Sequence, residues 1–238
     1  MKIRKKFSFE GAHIVRNCSS IRCKKSIHGH SYVVEVFFTS KGLDQGAMIM
    51  DFGLMKGNIK DLIDSFDHAY SMWVKESNEF QGFMTDNSDR WVKMPISPSA
   101  EAYSLMFLFI IDKMVKATEF NNGEKEVSVS SVRVHETTTG YAESFQEDLE
   151  WFDFGLNDIE FSDGIKAEWK DPTMYDKLVG FVADWDKVKA NLDRAGQSCD
   201  EAMNKLKEGN GNVFRTADRI KQLGAKATKE LPTDLLDV

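Results

Sequence analysis

Apolar and charged positions alternate from the start of the chain. Ile3, Phe7 and Phe9 are interleaved with Arg4, Lys6 and Ser8, a period of two that predicts a strand with one wet face over Lys2–Phe9. Tyr32–Thr39, "YVVEVFFT", is rich in β-branched and aromatic residues and reads as a central strand. After the turn-forming "KGLDQG", the period lengthens. Leu54, Ile59, Leu62, Ile63 and Phe66 share one side of a helix over Leu54–Phe66. A stretch without clear period, Lys75–Pro98, precedes a second helix that starts near Pro98 and runs to about Thr118. Its "AYSLMFLFII" reads as buried, being far too short to span a bilayer. "VSVSSVRVHE" and "YAESFQ" then predict two antiparallel strands joined at "TTTG". The order β-β-α-α-β-β predicts an α+β fold, an antiparallel sheet with helices on one side.

The pattern changes after about Leu149. "EWFDFGLNDIEFSDG" reads as an acidic, aromatic linker, followed by helices over Pro172–Ala195, Cys199–Lys207 and Asn212–Leu223, the last stopped by Gly224. Two parts are therefore expected, residues 1–150 and a linker with a helical extension over 151–238. The extension carries a basic face with Arg215, Arg219, Lys221, Lys226 and Lys229.

A net charge of −7 and a pI near 5.3 argue against a general nucleic-acid binder. The balance is uneven, however, with eight Lys or Arg against one acid between Met1 and His30. That excess is either a solvated face or a site for a small anion. Three unevenly spaced cysteines, Cys18, Cys23 and Cys199, do not make a disulfide framework. Reduced thiols and a strand-like N-terminus without a hydrophobic leader predict a cytoplasmic protein.

The candidate chemistry lies in "IHGHSY". On a strand, His28 and His30 share a face, with Gly29 leaving room between them. Two imidazoles on one face can reach one metal ion, and an open catalytic centre needs a third ligand. His13, after the first strand in "FEGAH", is the best candidate. Cys23 in "CKKSIH" reads as a fourth ligand, a base or an inert thiol, and Lys24 and Lys25 would favour its thiolate if close in space. Cys18 competes with it as the functional thiol. In "FDH", Asp67 stands beside His68 and can orient it or tune its proton affinity.

These residues resemble the family of 6-pyruvoyl-tetrahydropterin and 6-carboxy-tetrahydropterin synthases. The motifs "FEGAH", "C…HGHSY", "GAMIMDF", "FDH", "SPSAE" and "HET" recur in family order over Phe9–Phe145. The resemblance implies the tunnelling fold (T-fold), a four-stranded antiparallel sheet with two helices between its second and third strands. It implies homo-oligomers, trimers stacked into hexamers, with sites at subunit interfaces. It assigns His13, His28 and His30 as zinc ligands, Cys23 as general base, and Asp67 with His68 as a second proton carrier. Glu136 would anchor the pterin ring, since a carboxylate accepts two adjacent N–H donors. Thr137 would assist it, and Glu101 matches a recurring family glutamate.

The implied function is a zinc-dependent lyase, 6-carboxy-5,6,7,8-tetrahydropterin synthase, acting on 7,8-dihydroneopterin triphosphate in queuosine or 7-deazaguanine precursor synthesis. Arg22, Lys24 and Lys25 are candidates to hold the triphosphate. The alternatives are a 6-pyruvoyl-tetrahydropterin synthase and a non-catalytic pterin- or nucleic-acid-binding T-fold protein. "SPSAE" departs from the family's P-T-x-E, and the segment between His68 and Pro98 is long. No membrane partner is expected, and nucleic acid would be met only through the extension. There "FRTADRIKQLGAKATKELP" resembles the C-terminal stretch of RmuC-like DNA-recombination proteins.

Overall fold

In the computed structural model, which describes residues 1–151, 155–170, 174–208 and 213–224, the first two alternating runs pair with each other. Strand β1 covers Lys2–His13 and β2 covers His28–Thr39, with one short helix, α1 (Ile21–Lys25), between them. They run antiparallel, in register from Lys2 opposite Thr39 to His13 opposite His28. Both strands therefore exceed their predicted lengths at the histidine end. Gly11, Gly29 and the histidines are indifferent strand formers, and the ladder recruits them because each backbone N–H and C=O gains a partner.

A 3-10 turn over Phe52–Lys56 leads into α2 (Asn58–Asp64). The single helix expected over Leu54–Phe66 is thus two pieces parted by Gly57. The stretch without period is not irregular. It forms α3 (Asn78–Asn87) and β4 (Trp91–Met94), directly after β3 (Ala69–Trp73). Each strand is too short to display a period on its own. Next come α4 (Ala100–Lys116), β5 (Ser128–His135), β6 (Tyr141–Phe145), β7 (Glu160–Phe161), α5 (Asp163–Lys166), α6 (Met174–Glu208) and α7 (Val213–Gln222).

The sheet corrects the expectation of four antiparallel strands. It is mixed and seven-stranded, in the order β6-β5-β2-β1-β3-β4-β7. β6, β5, β2 and β1 pair antiparallel, whereas β3 joins β1 in parallel and β4 joins β3 in parallel. The parallel addition places Ala69–Ser71 beside Gly11–His13.

Phe9, Tyr32, Val34, Val36, Val132 and Val134 face α4, which presents Tyr103, Phe107, Ile110 and Ile111 to them. Fully burying such a side chain is worth about 1.5–3 kcal/mol, so this layer fixes the helix on the sheet. The cap of α4 is Ser99, whose side chain accepts the N–H of Ala102. Glu101 is therefore free of that duty.

The segment read as a linker is built into this core. Leu156, Ile159, Phe161 and Ile165 are buried, and Trp169 Nε1 donates to Ser65 Oγ at 2.8 Å. Its apolar residues follow neither helical nor strand spacing, which is why the sequence concealed them.

Met1–Val182 and Ala183–Val238 form two compact units. The two helices expected over 172–207 are one continuous helix, α6. Gly196 lies inside it at a cost of about 1 kcal/mol relative to alanine. α7 forms as expected, and Gly224 beyond it takes a φ of 93°. Arg215, Arg219 and Lys221 lie on α7, while Lys226 and Lys229 fall outside the described residues. No helix among the described residues is long and apolar enough to cross a membrane.

Candidate metal centre and its adjoining cavities

The end of the β1–β2 ladder gathers three imidazoles. His13 lies directly opposite His28, and Gly11 lies opposite His30. One ring nitrogen from each histidine falls within 4.8 Å of the others. Gly29 makes the close pairing possible, because a Cβ built there would meet the Gly11 carbonyl oxygen at 2.9 Å. That neighbour is backbone and cannot rotate away. Gly29→Ala is expected to push the two strand ends apart, costing about 1–3 kcal/mol and weakening metal affinity. Denaturation midpoints and metal titration check both effects.

Backbone hydrogen bonds set the tautomer of two of the three rings. His13 Nδ1 lies 2.5 Å from the Pro98 carbonyl and His28 Nδ1 lies 3.0 Å from the Ser26 carbonyl. A carbonyl only accepts, so both Nδ1 atoms carry the proton and both Nε2 atoms keep a lone pair. His30 Nε2 is buried without a hydrogen-bond partner. Glu136 Oε1 then approaches His13 Nε2 at 3.5 Å and His30 Nε2 at 3.6 Å. The first is not an ordinary ion pair, because burial pushes the pKa of His13 down to about 4. The Pro98 carbonyl opposes that shift, while neighbouring His28 and His30 reinforce it. Neutral His13, its two neighbouring imidazoles and a carboxylate thus converge on one point, an arrangement that a cation satisfies.

Neutral His13 has a measurable consequence in metal-free protein. Unfolded histidine binds a proton near pH 6.5, whereas folded His13 does so only near pH 4. Its contribution is full above pH 6.5 and is lost as the pH falls towards 4, because there the unfolded state binds more protons. Chelator-treated protein is expected to lose about 3 kcal/mol across that window, read from urea denaturation at stepped pH.

Beneath the triad lies an aromatic floor. Tyr32 Oη is 3.2 Å from the His13 ring nitrogens, and the Tyr32 ring packs edge-on against Tyr103. Burial raises the pKa of both phenols, so they stay protonated. No sequence signal marks Tyr103 or the Pro98 carbonyl as supports for His13, since both come from the distant start of α4.

Two cavities flank the centre. The first, about 520 Å³, is lined by Cys18, Cys23, Glu101, Glu136 and Thr137 among others. Cys23 sits on α1, held by the bond from the Val15 N–H to its carbonyl at 3.0 Å. Cys18 lines the same space, but its thiol donates to the Ser20 carbonyl at 3.2 Å. Thr137 Oγ1 accepts the Gly140 N–H at 3.0 Å and so shapes the β5–β6 turn. Arg22, Lys24 and Lys25 are not among the residues lining this cavity.

The second, about 490 Å³, is lined by His30, His68, Glu10, Gly29 and Tyr70 among others. Asp67 Oδ1 accepts the Glu10 N–H at 2.8 Å, and Asp67 Oδ2 is 2.9 Å from His68 Nδ1. Partial burial opposes ionisation of Asp67, but these two bonds outweigh it and hold its pKa below the usual carboxylate value. His68 has a φ of 53°, in the left-handed region, and its N–H donates to the Glu10 carbonyl at 2.6 Å. The cavities share no lining residue, so one chain does not bring Cys23 and His68 together. The fifth histidine, His135, stands apart with Nε2 3.1 Å from Glu35.

A family model described as 6-pyruvoyl tetrahydropterin synthase matches residues 2–147. The chain belongs to this family. Its relatives include the 6-carboxy-5,6,7,8-tetrahydropterin synthase of Helicobacter pylori strain J99, 48% identical over 183 residues, covering 75% of this chain and 92% of that one. The enzyme of the same name from Aquifex aeolicus is 32% identical over 127 residues, covering 51% and 75%. The Helicobacter alignment is longer than the segment matched by the family model, in keeping with a folded unit that continues past residue 147. An uncharacterized protein from Wolinella succinogenes shares the fold, with a TM-score of 0.50 and 19% identity over 61% of this chain and 98% of its own.

The family core is followed by a distinct extension, whose residues 165–230 match a model described as RmuC family. A DNA recombination protein RmuC homolog of Pseudomonas aeruginosa is 46% identical over 65 residues, covering 27% of this chain. The chain spans only 14% of that protein's length.

Proposed function

We propose that this chain is a zinc-dependent 6-carboxy-5,6,7,8-tetrahydropterin synthase acting on 7,8-dihydroneopterin triphosphate, supplying a queuosine or 7-deazaguanine precursor. The observation that carries the reading is the convergence of one ring nitrogen each from His13, His28 and His30 beside the cavity that holds Cys23 and Glu136. Nearly half identity to relatives of that name supports the choice of product.

His13, His28 and His30 would hold the zinc, since three neutral nitrogens with an open position form a catalytic donor set. When bound, zinc supplies Lewis-acid polarisation of a substrate oxygen. Glu136 accepts the pterin N–H donors at the cavity wall, assisted by Thr137, with Glu101 across the opening. Cys23 removes a proton from the side-chain carbon positioned beside it. His68, aligned by ionised Asp67, carries the second proton.

Exposed His68, bonded to Asp67, lines a cavity separate from that of Cys23, which supports a site completed by a neighbouring copy of the chain. Mixing Cys23→Ala and His68→Ala proteins is then expected to restore part of the activity that each lacks alone. No recovery after subunit exchange would sink the shared-site reading. Arg22, Lys24 and Lys25 would attract the triphosphate as a basic rim outside the cavity, not as its lining.

The deciding experiment is mass spectrometry of the products after incubation with 7,8-dihydroneopterin triphosphate. The 6-carboxy product with release of acetaldehyde is expected. A 6-pyruvoyl product would move the chain to the other branch, and unchanged substrate with a loaded metal site would refute the catalytic reading.

A further inference from the structure

The extension presents an apolar seam that nothing in the pterin chemistry uses. α6 is 35 residues long, or about 52 Å. From Trp185 its apolar and small residues recur at alternating steps of three and four: Trp185, Val188, Leu192, Ala195, Cys199, Ala202 and Leu206. Leu178 and Phe181 continue the same period upstream. A period of 3.5 sustained in this way marks the seam of a coiled coil and not the broader stripe of a helix on a globular core. The described side chains of the seam are exposed. Val188 is 47% exposed and Leu192 is 67% exposed, and Ala195, Cys199 and Ala202 are exposed as well.

The order of sizes along the seam selects the occupant. From Trp185 to Ala202, bulky residues occupy the first half and small ones the second. The geometry points to a second copy of this chain, docked antiparallel along α6. Reversing one helix about the midpoint between residues 193 and 194 sets Leu192 level with Ala195 of the second copy and Val188 level with Cys199. The positions of Trp185 and Ala202 fall level in the same register. Every layer from 185 to 202 then meets a small residue with a large one, which keeps the two axes evenly spaced. A parallel copy would instead stack Ala195, Cys199 and Ala202 each on itself, leaving three thin layers in succession. Flanking positions agree with the antiparallel register: Asp184 and Lys205 of the second copy, like Asn191 and Ser198, lie beside the seam within two residues, about 3 Å, of the same level. Such a contact is self-complementary about a two-fold axis, as a closed dimer requires. It joins copies through the extension and is independent of any contact made by the sheet.

Site-specific oxidation of the full-length chain tests the arrangement. Residues 188 and 199 are eleven positions apart, about 16 Å along one helix, so a disulfide between them must join two chains. Val188→Cys protein treated with copper phenanthroline is expected to give a dimer on non-reducing gels, with peptide mapping showing Cys199 joined to the introduced cysteine. The unaltered chain is expected to give no link between two Cys199 residues, and adding Leu192→Asp to Val188→Cys is expected to remove the dimer. A Cys199-to-Cys199 disulfide in the unaltered chain would mean parallel helices and overturn the proposal. So would the absence of dimer from the Val188→Cys protein, the result anticipated if another segment of the same chain covers the seam.

Discussion

His28→Ala should yield a folded protein that holds no metal and turns over no substrate. His28 is half-buried at the strand end, so its loss leaves little cavity, whereas His13 is fully buried beneath it. Removing either leaves two nitrogens, too few for a stable three-histidine centre. The two variants are expected to differ in stability. His13→Ala also strands the Pro98 carbonyl that Nδ1 now satisfies at 2.5 Å, at a further cost of about 1–3 kcal/mol. Metal content by plasma spectrometry should fall from about one ion per chain to background in both. Turnover should fall by at least about a thousandfold, the equivalent of roughly 4 kcal/mol of lost electrostatic stabilisation. Full metal content in His28→Ala protein would show that the triad is not the site.

Cys23→Ala separates chemistry from metal binding. Cys23 stands in the cavity wall outside the triad, and its backbone is tied down through the Val15 N–H. The variant is therefore expected to keep its metal and its melting temperature while kcat falls by about 10²–10⁴-fold, the usual contribution of a placed proton acceptor. Cys18→Ala is the informative comparison. Its thiol already donates to the Ser20 carbonyl, so its removal should leave most of the rate. Loss of metal in the Cys23 variant would make that thiol a ligand and overturn its assignment as base. Equal losses in the two variants would mean that the cavity does not discriminate between them.

The elements that reveal themselves in the sequence have strong periods or specific motifs. The alternation in "YVVEVFFT" gave β2, and the unbroken apolar run after Pro98 gave α4. The short strands β3, β4 and β7 stayed hidden because two to five residues cannot display a period, and their pairing is set by neighbours distant in sequence. α6 departs in the other direction: with helices expected over Pro172–Ala195 and Cys199–Lys207, favourable residues on both sides of Gly196 carry one straight through.

By itself the sequence determined which residue types carry the chemistry. Two histidines at strand spacing across a glycine can serve one ion, and an aspartate next to a histidine can orient it, because one or two bonds of chain already limit where such groups go. Only the tertiary structure decided how they meet. The β1–β2 register sets His13 against His28 across a loop whose length imposes no geometry. The start of α4 brings the Pro98 carbonyl and Tyr103 beneath the first histidine, and the end of β5 brings Glu136 over it. The parallel docking of β3 turns His68 towards a different cavity from Cys23. These placements depend on which backbone groups pair and which surfaces are buried together, and contacts between distant segments leave no local trace in the order of residues.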